Sequence, residues 1–276
     1  MVEFCVTGGT GFIAAYLVKT LLEKGHTVRT TVRDPEDVGK VGFLLEFNGA
    51  KERLKIMKAD LRIEGSFDEV LQGVDGVFHV ASPVLVPYDD NIQVSPLNES
   101  HWSDPDYCKR YNLWYAYAKT LAEKEAWRIA KESGTDLVVV NPSFVVGPLL
   151  TPQPTSTLFM ILAIIKGTRG EFPNQTIGFV HIDDVIAAHI LAMEEKKASG
   201  RLICSGSVAH WSQIIEMLRA KYPSYPFENK CGNEEGDNNP HTMDTTKIAQ
   251  LGFPPFKTHD RMFDDCIRSF QEKGFL

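Results

Sequence analysis

Long apolar runs are missing from this sequence of 276 residues. The longest, Leu158 to Ile165, falls well short of the ~18 residues that cross a bilayer, so no integral membrane contact is expected. Cysteine is sparse. Cys5, Cys108, Cys204, Cys231 and Cys266 stand far apart, without metal-ligand or redox spacing, and are expected as reduced thiols. The eight histidines show no ligand spacing either, and no metal is expected. Positive charge is in deficit, with 29 Lys and Arg against 36 Asp and Glu and a net charge of -7. That balance argues against nucleic acid or an anionic membrane surface as the main partner. No basic segment precedes the first apolar strand, which favours a cytoplasmic location. Internal repeats and low-complexity tracts are absent. What is present is ordinary for a globular chain: 43% hydrophobic residues, enough for one large core or one and a half domains.

The first such feature is at the N-terminus. Val2 to Val6 is a short apolar run, Thr7-Gly8-Gly9-Thr10-Gly11-Phe12-Ile13-Ala14 follows, and Ala15 to Lys24 carries apolar residues at helical spacing. Strand, glycine turn and helix in that order form a dinucleotide site, because Gly8 and Gly11 let peptide N–H groups reach a pyrophosphate at the helix N-terminus. A second strand, His26 to Val32, ends at Arg33 where an NAD site usually has a carboxylate. With Lys40 close behind, a 2′-phosphate is favoured and NADPH is the expected cofactor. Asp34 leaves a ribose-binding carboxylate open as the alternative. Leu54 to Lys58 and Gly76 to Val80 read as further strands, with a short helix around Phe67 to Leu71 between them. Asp60, at the carboxyl end of the third strand, is a candidate acceptor for the adenine amino group or a turn cap.

Tyr115 and Lys119 stand four apart ahead of the helical run Thr120 to Glu132, so they share a helix face and their polar ends can reach one reacting oxygen. An ammonium beside a phenol favours the phenolate. Such a Tyr can pass a proton to a carbonyl oxygen. Asp136 to Val146 reads as one buried parallel strand. Helices are expected at Leu158 to Lys166, Asp183 to Met193, Ser212 to Lys221, Thr245 to Leu251 and His259 to Lys273, with short strands at Phe179 to His181 and Arg201 to Cys204 and a polar linker over Glu228 to Pro240.

Together these segments resemble the extended short-chain dehydrogenase/reductases. Carrying the resemblance are the glycine turn, Thr31-Val32-Arg33-Asp34-Pro35, Ala59-Asp60-Leu61, Val77-Phe78-His79-Val80-Ala81 and Tyr115-xxx-Lys119, then Asn141 to Pro148, Phe179 to Asp184 and Gly200 to Cys204. Within that family the chain is similar to the plant branch of dihydroflavonol, cinnamoyl-CoA and tetraketide α-pyrone reductases. Leu113-Trp114-Tyr115-Ala116-Tyr117-Ala118-Lys119 departs from the Asn-Trp-Tyr-Cys-Tyr-Gly-Lys usual in cinnamoyl-CoA reductases. The segments Ser82 to Asn91 and Ser95 to Trp102 look most like tetraketide α-pyrone reductases.

The resemblance implies an α/β Rossmann-type doubly wound parallel sheet over residues 1–149 and 177–206, with a smaller, mainly helical substrate domain over 150–176 and 207–276. It implies NADPH held by Gly8, Thr10, Gly11, Phe12, Ile13, Arg33, Lys40, Asp60, Leu61, Val80, Ala81, Ser82, Tyr115, Lys119 and Pro142, with Tyr115 and Lys119 catalytic. The implied reaction is hydride transfer to a small-molecule carbonyl of polyketide type, in the synthesis of sporopollenin precursors. A hydroxycinnamoyl-CoA or dihydroflavonol substrate is the alternative within the branch.

One interval departs from the family. A helix and a strand ending in a catalytic Ser normally separate the Val-Ala-Ser/Thr-Pro segment from the Tyr helix, but Ala81 and Tyr115 are only 34 positions apart here. A βαβ unit needs ~30 or more residues and a continuous apolar strand, and the interval offers only Val84-Leu85-Val86 between prolines. The central Ser strand is expected to be missing. The sheet then either keeps an open edge or draws the Asp136 strand inward, and an inward shift would carry Tyr115 away from the nicotinamide. Weak activity follows from either, and a non-catalytic NADPH binder is the reading from another class.

Overall fold

A computed structural model describes residues 2–82, 95–232 and 241–276. The first half follows the expected alternation. Strands β1 (Glu3–Val6), β2 (Thr27–Val32), β3 (Leu54–Lys58) and β4 (Gly76–Phe78) are separated by helices α1 (Phe12–Glu23), α2 (Val38–Leu45), α3 (Ala50–Arg53) and α4 (Asp68–Leu71). They form a parallel sheet in the order β3-β2-β1-β4. The strand order reverses at β1, so the glycine turn after it opens at the carboxyl edge of the sheet, the usual ligand crevice of such folds.

The second half builds two further sheets. α5 (Pro105–Arg110) starts where the Asp104 carboxylate accepts from the N–H groups of Asp106 and Tyr107 and Pro105 opens the first turn. α6 (Trp114–Ser133) follows, then β5 (Val138–Pro142), β6 (Phe144–Val146), α7 (Ser156–Ile165), β7 (Thr176–His181), α8 (Ile182–Glu194), β8 (Gly200–Cys204) and β9 (Ser207–His210). α9 (Trp211–Lys221), α10 (Thr246–Gln250) and α11 (His259–Glu272) complete the fold. β5 pairs in parallel with β8, whereas β6 joins β7, which pairs antiparallel with β9.

Asp136 to Val146 is therefore two strands in two sheets. The chain turns at Ser143, whose N–H donates to the Cys204 carbonyl, and β5 is half-buried throughout where a fully buried strand was expected. The cause is a neighbour on one side only. Among the described residues β4 pairs only with β1 and β5 only with β8. No described strand lies between β4 and β5, and β5 has not moved inward to pair with β4. Residues 83–94, which include the Val84 to Val86 run and most of the Ser82 to Asn91 segment, lie outside the described residues, as do 233–240 of the polar linker.

Helices hold together what the sheet does not. α1 packs on α8, and one continuous core runs from Phe4, Val6 and Leu17 through Val185 and Phe179 to Trp211 and Phe263. The Tyr16 hydroxyl, on α1, donates to the Pro148 carbonyl at 2.9 Å. α6 is the exception. Of its twenty residues only Thr120 and Ala130 are buried, and Leu121 and Ile129 are 40% and 49% exposed, as expected of a helix with no described strand between β4 and β5 to cover.

Arg201 on β8 ties α6 down. Its Nε donates to Glu123 Oε1 of α6 at 2.7 Å, its Nη1 donates to the carbonyls of Glu99 and His101, and its guanidinium lies 4.0 Å from the Trp102 ring centroid. The Arg201 and Glu123 side chains are only 17% and 13% exposed, so breaking the pair strands a charge. Arg201→Ala is expected to lower the unfolding free energy by ~3 kcal/mol, read from urea denaturation, and Arg201→Lys to recover less than half of it because the planar fork is lost. A loss under ~1 kcal/mol, the value of a surface pair, would contradict that role.

Candidate active site

The glycine turn is built for close approach. Gly8 has φ +76°, and a Cβ there would lie 3.1 Å from Ala81; one on Gly9 would lie 2.3 Å from Thr30 Oγ1. α1 begins at Gly11 with no side-chain cap and no acidic residue in its first turn. Its first-turn N–H groups, at Phe12 and Ile13, have no intrahelical acceptor and face the crevice with the positive end of the helix. An anion fits there.

Thr7 is the organiser that sequence reasoning missed. Its buried hydroxyl accepts from the N–H groups of Val80 and Ala81 at 3.1 and 3.0 Å and lies 3.1 Å from His79 Nδ1. The segment after β4 is thereby pinned against the turn. Only position, directly after β1, could have marked Thr7 out.

Arg33 is exposed just past β2 and forms no ion pair among the described residues. Asp34 closes a turn by accepting from the Glu36 N–H, and Lys40 is paired with Asp37 at 2.6 Å. The Asp60 carboxylate is held by Arg62 at 2.8 Å, and that bond, helped by the Arg33 charge, brings its pKa down to about 2. Leu61 beside it is 49% exposed. Arg62 had no signal in the sequence beyond its charge.

The catalytic candidates reach this crevice from the other side. Lys119 Nζ donates to Ser82 Oγ at 2.5 Å and lies 5.7 Å from the Tyr115 ring centroid. The pair therefore stands at the end of β4, next to the pinned Val80-Ala81 segment. Burial pushes the Tyr115 phenol above its ordinary range and the Lys119 ammonium below its own. This differs from the expected Lys-favoured phenolate: at a half-buried phenol desolvation outweighs the neighbouring charge. His79 is pushed down as well, by burial and then by Lys119.

Pro142 ends β5 and lines, with Asn141, Ser143, Lys119, Thr120 and Glu123, a cavity of about 690 Å³ between α6 and the β5-β8 pair. Asn141 Oδ1 and Ser143 Oγ are buried there with no hydrogen-bond partner among the described residues. The space is lined by β5 and β8 residues on one side and by α5 and α6 residues on the other.

Comparison with known proteins agrees with this architecture. Tetraketide alpha-pyrone reductase 2 of Arabidopsis thaliana is 64% identical over 321 residues, covering 100% of both chains, and Cinnamoyl-CoA reductase 2 of Medicago truncatula is 40% identical, covering 99% of this chain and 92% of its own. The chain belongs to this plant branch of the extended short-chain dehydrogenase/reductases. Alfalfa vestitone reductase superposes with a TM-score of 0.84 at 31% identity, with 100% of both chains covered. The yeast methylglyoxal/isovaleraldehyde reductase Gre2, solved with NADPH, shares the fold with a TM-score of 0.82 at 21% identity and full coverage of both chains. The 321 aligned positions exceed the 276 residues of this reductase-family chain by 45, so it is internally shortened relative to that plant reductase. Residues 5–94 match the GDP-mannose 4,6 dehydratase family and 87–204 the NAD dependent epimerase/dehydratase family. The two matches meet inside the short interval before Tyr115.

Replacing Thr7 by Val removes the acceptor of two N–H groups while nearly keeping the volume. Each buried donor left unpaired costs ~1–3 kcal/mol, so Thr7→Val is expected to lower stability by ~2–4 kcal/mol in urea denaturation.

Proposed function

We propose that this chain is an NADPH-dependent reductase of a tetraketide α-pyrone carbonyl, acting in the cytoplasm on sporopollenin precursors, with turnover well below that of a full-length relative. The observation that carries the reading is the 2.5 Å contact between Lys119 and Ser82, which sets the Tyr115 helix against the glycine-turn crevice despite the shortened sheet. Residues 1–149 and 177–206 form the nucleotide half, and 150–176 with 207–276 the substrate half.

Bound NADPH supplies a hydride to the carbonyl carbon. The chain's own residues do the rest. Gly8, Thr10, Gly11, Phe12 and Ile13 seat the pyrophosphate at the N-terminus of α1. The unpaired Arg33 takes the 2′-phosphate, with Lys40 nearby once it leaves Asp37. Asp60 and Leu61 border the adenine, and Val80, Ala81, Ser82 and Pro142 border the nicotinamide half. Tyr115 gives its phenol proton to the carbonyl oxygen. Lys119 holds the ribose hydroxyls and stabilises the phenolate that remains. The identity to a tetraketide α-pyrone reductase supports that substrate over the hydroxycinnamoyl-CoA and dihydroflavonol alternatives, whose enzymes are 40% and 35% identical.

Among the described residues β4 and β5 each pair on one side only, which favours one second reading, a chain that binds NADPH without turnover. Oxidation of NADPH followed by absorbance with a tetraketide α-pyrone separates the two, alongside NADPH fluorescence on titration. Slow oxidation, ~10²–10³ below a full-length relative as for loss of one carbonyl donor, supports the reductase. Binding without oxidation supports the binder, and a full-length rate contradicts the reduced turnover. Tyr115→Phe is expected to abolish oxidation while NADPH still binds, weakened by no more than ~10-fold, the value of one hydrogen bond. Arg33→Ser should weaken NADPH binding by ~10-fold or more, as expected for a charge-assisted contact worth ~1.5–3 kcal/mol, and NADH binding far less.

A further inference from the structure

We propose that His181 is an acid-sensitive latch: its neutral ring caps α8 at the seam with α1 and α11, and protonation opens that seam. The inference goes beyond the reductase reading and holds equally for a chain that only binds NADPH. His181 ends β7 and is fully buried. Its Nδ1 accepts from the Asp183 N–H at 3.0 Å, which closes the first turn of α8. Ser, Thr, Asp or Asn usually fills such a position and caps at any neutral or mildly acidic pH. A histidine makes the cap titratable. The ring also touches the other two helices. A Cβ on Gly147 would come within 3.4 Å of its Nε2, and Pro148, the next residue, is held by the Tyr16 hydroxyl of α1. Asp265 Oδ2 of α11 lies 3.4 Å from the same nitrogen.

Only an unprotonated ring nitrogen accepts, so the cap places the proton of the neutral ring on Nε2. A second proton would go to Nδ1, where it meets the Asp183 N–H donor to donor and adds positive charge at the positive end of α8. The charged groups around the ring pull both ways. Asp183 and Asp184 on α8 and Asp265 on α11 favour the cation, with the Asp183 carboxylate 3.5 Å from Nδ1. Lys257, ahead of α11, opposes it and pairs with Asp183 and Asp184 at 3.3 Å each, while Arg261 takes Asp265 at 2.7 Å. Tyr16 of α1 and Cys266 of α11, both pushed up by burial, stay neutral at the seam. With the carboxylates engaged, burial prevails and holds His181 below its ordinary range. The unfolded chain then takes up this proton before the folded one does. Stability from the ring is complete above the ordinary histidine pKa of ~6.5 and is lost as the pH falls below it.

The test follows urea denaturation of the full chain from pH ~7.5 to ~5.5, above the range in which ordinary carboxylates titrate. It compares wild type with His181→Asn, whose amide oxygen caps a helix without titrating. His79, His189 and His259 are also pushed down by burial, and they cancel in the comparison. Below pH ~6.5 the wild-type unfolding constant is expected to rise with acid by up to ~10-fold per pH unit more than that of the variant, the effect of one proton. Protection of the Asp183 amide against hydrogen exchange should fall over the same range in wild type and hold in His181→Asn. Should the variant fail to fold, nuclear magnetic resonance of the wild-type ring decides, with the neutral ring protonated on Nε2 and titrating below ~6.5. Parallel pH dependences of wild type and variant overturn the proposal. So does a His181 ring that titrates above ~6.5, because the carboxylates would then outweigh burial. Either result leaves the reductase reading intact.

Discussion

The position of the Tyr helix depends on the Arg201 guanidinium. Tyr115, Lys119 and Glu123 fall at successive intervals of four along α6, so they lie on one stripe of the helix. Glu123 is gripped by Arg201 of β8, and that grip fixes how the helix is rotated about its axis. Lys119, one turn earlier, is thereby turned toward Ser82. In a complete sheet the rotation would be set by apolar packing over a central strand. Here a single fork, braced by two backbone carbonyls and an indole face, does it with directional bonds.

This substitution explains why the two sides of the crevice differ in character. The ladders of β1 to β4, the glycine turn and the Thr7 clasp are made before the shortened interval begins, and α1 then leans on α8. The α6 side stands on polar contacts and exposes Leu121 and Ile129. An unpaired strand edge is costly when it is dry and cheap when water reaches it. β5 is half-exposed beside a cavity, which places most of its open edge in the cheap class. Asn141 Oδ1 and Ser143 Oγ, buried without partners among the described residues, are where the cost concentrates.

The legible parts of the sequence were those governed by local rules. Gly8 and Gly9 are required by a backbone that a Cβ would obstruct, and β1 to β4 follow from apolar runs between turns. The shortened interval was legible as a length, since a βαβ unit has a minimum size. The break at Ser143 was legible only in part: Asn141-Pro142-Ser143 interrupts the apolar run and marks where the chain leaves the first sheet, but nothing local says that Phe144 to Val146 joins a second one. Thr7 and Arg201 were illegible for a related reason: their partners are 73 and 78 positions away, and a long-range bond leaves no periodicity. Position alone makes Lys40 a ligand group and leaves Asp60 either an adenine acceptor or a turn cap; the structure gives each a local partner, Asp37 and Arg62, with which a nucleotide must compete.

Tyr115 shows how the balance of two electrostatic effects bears on the direction of the reaction. Lys119 would draw the phenol toward its ionised form, yet burial holds it protonated. A carbonyl reduction begins with a neutral phenol that gives up a proton, whereas alcohol oxidation begins with a phenolate that accepts one. Any phenol is protonated at neutral pH, and the upward shift takes Tyr115 further from the phenolate, toward the form from which a reduction starts. The same burial lowers the cost of deprotonating Lys119, so both members of the pair are held nearer their neutral forms.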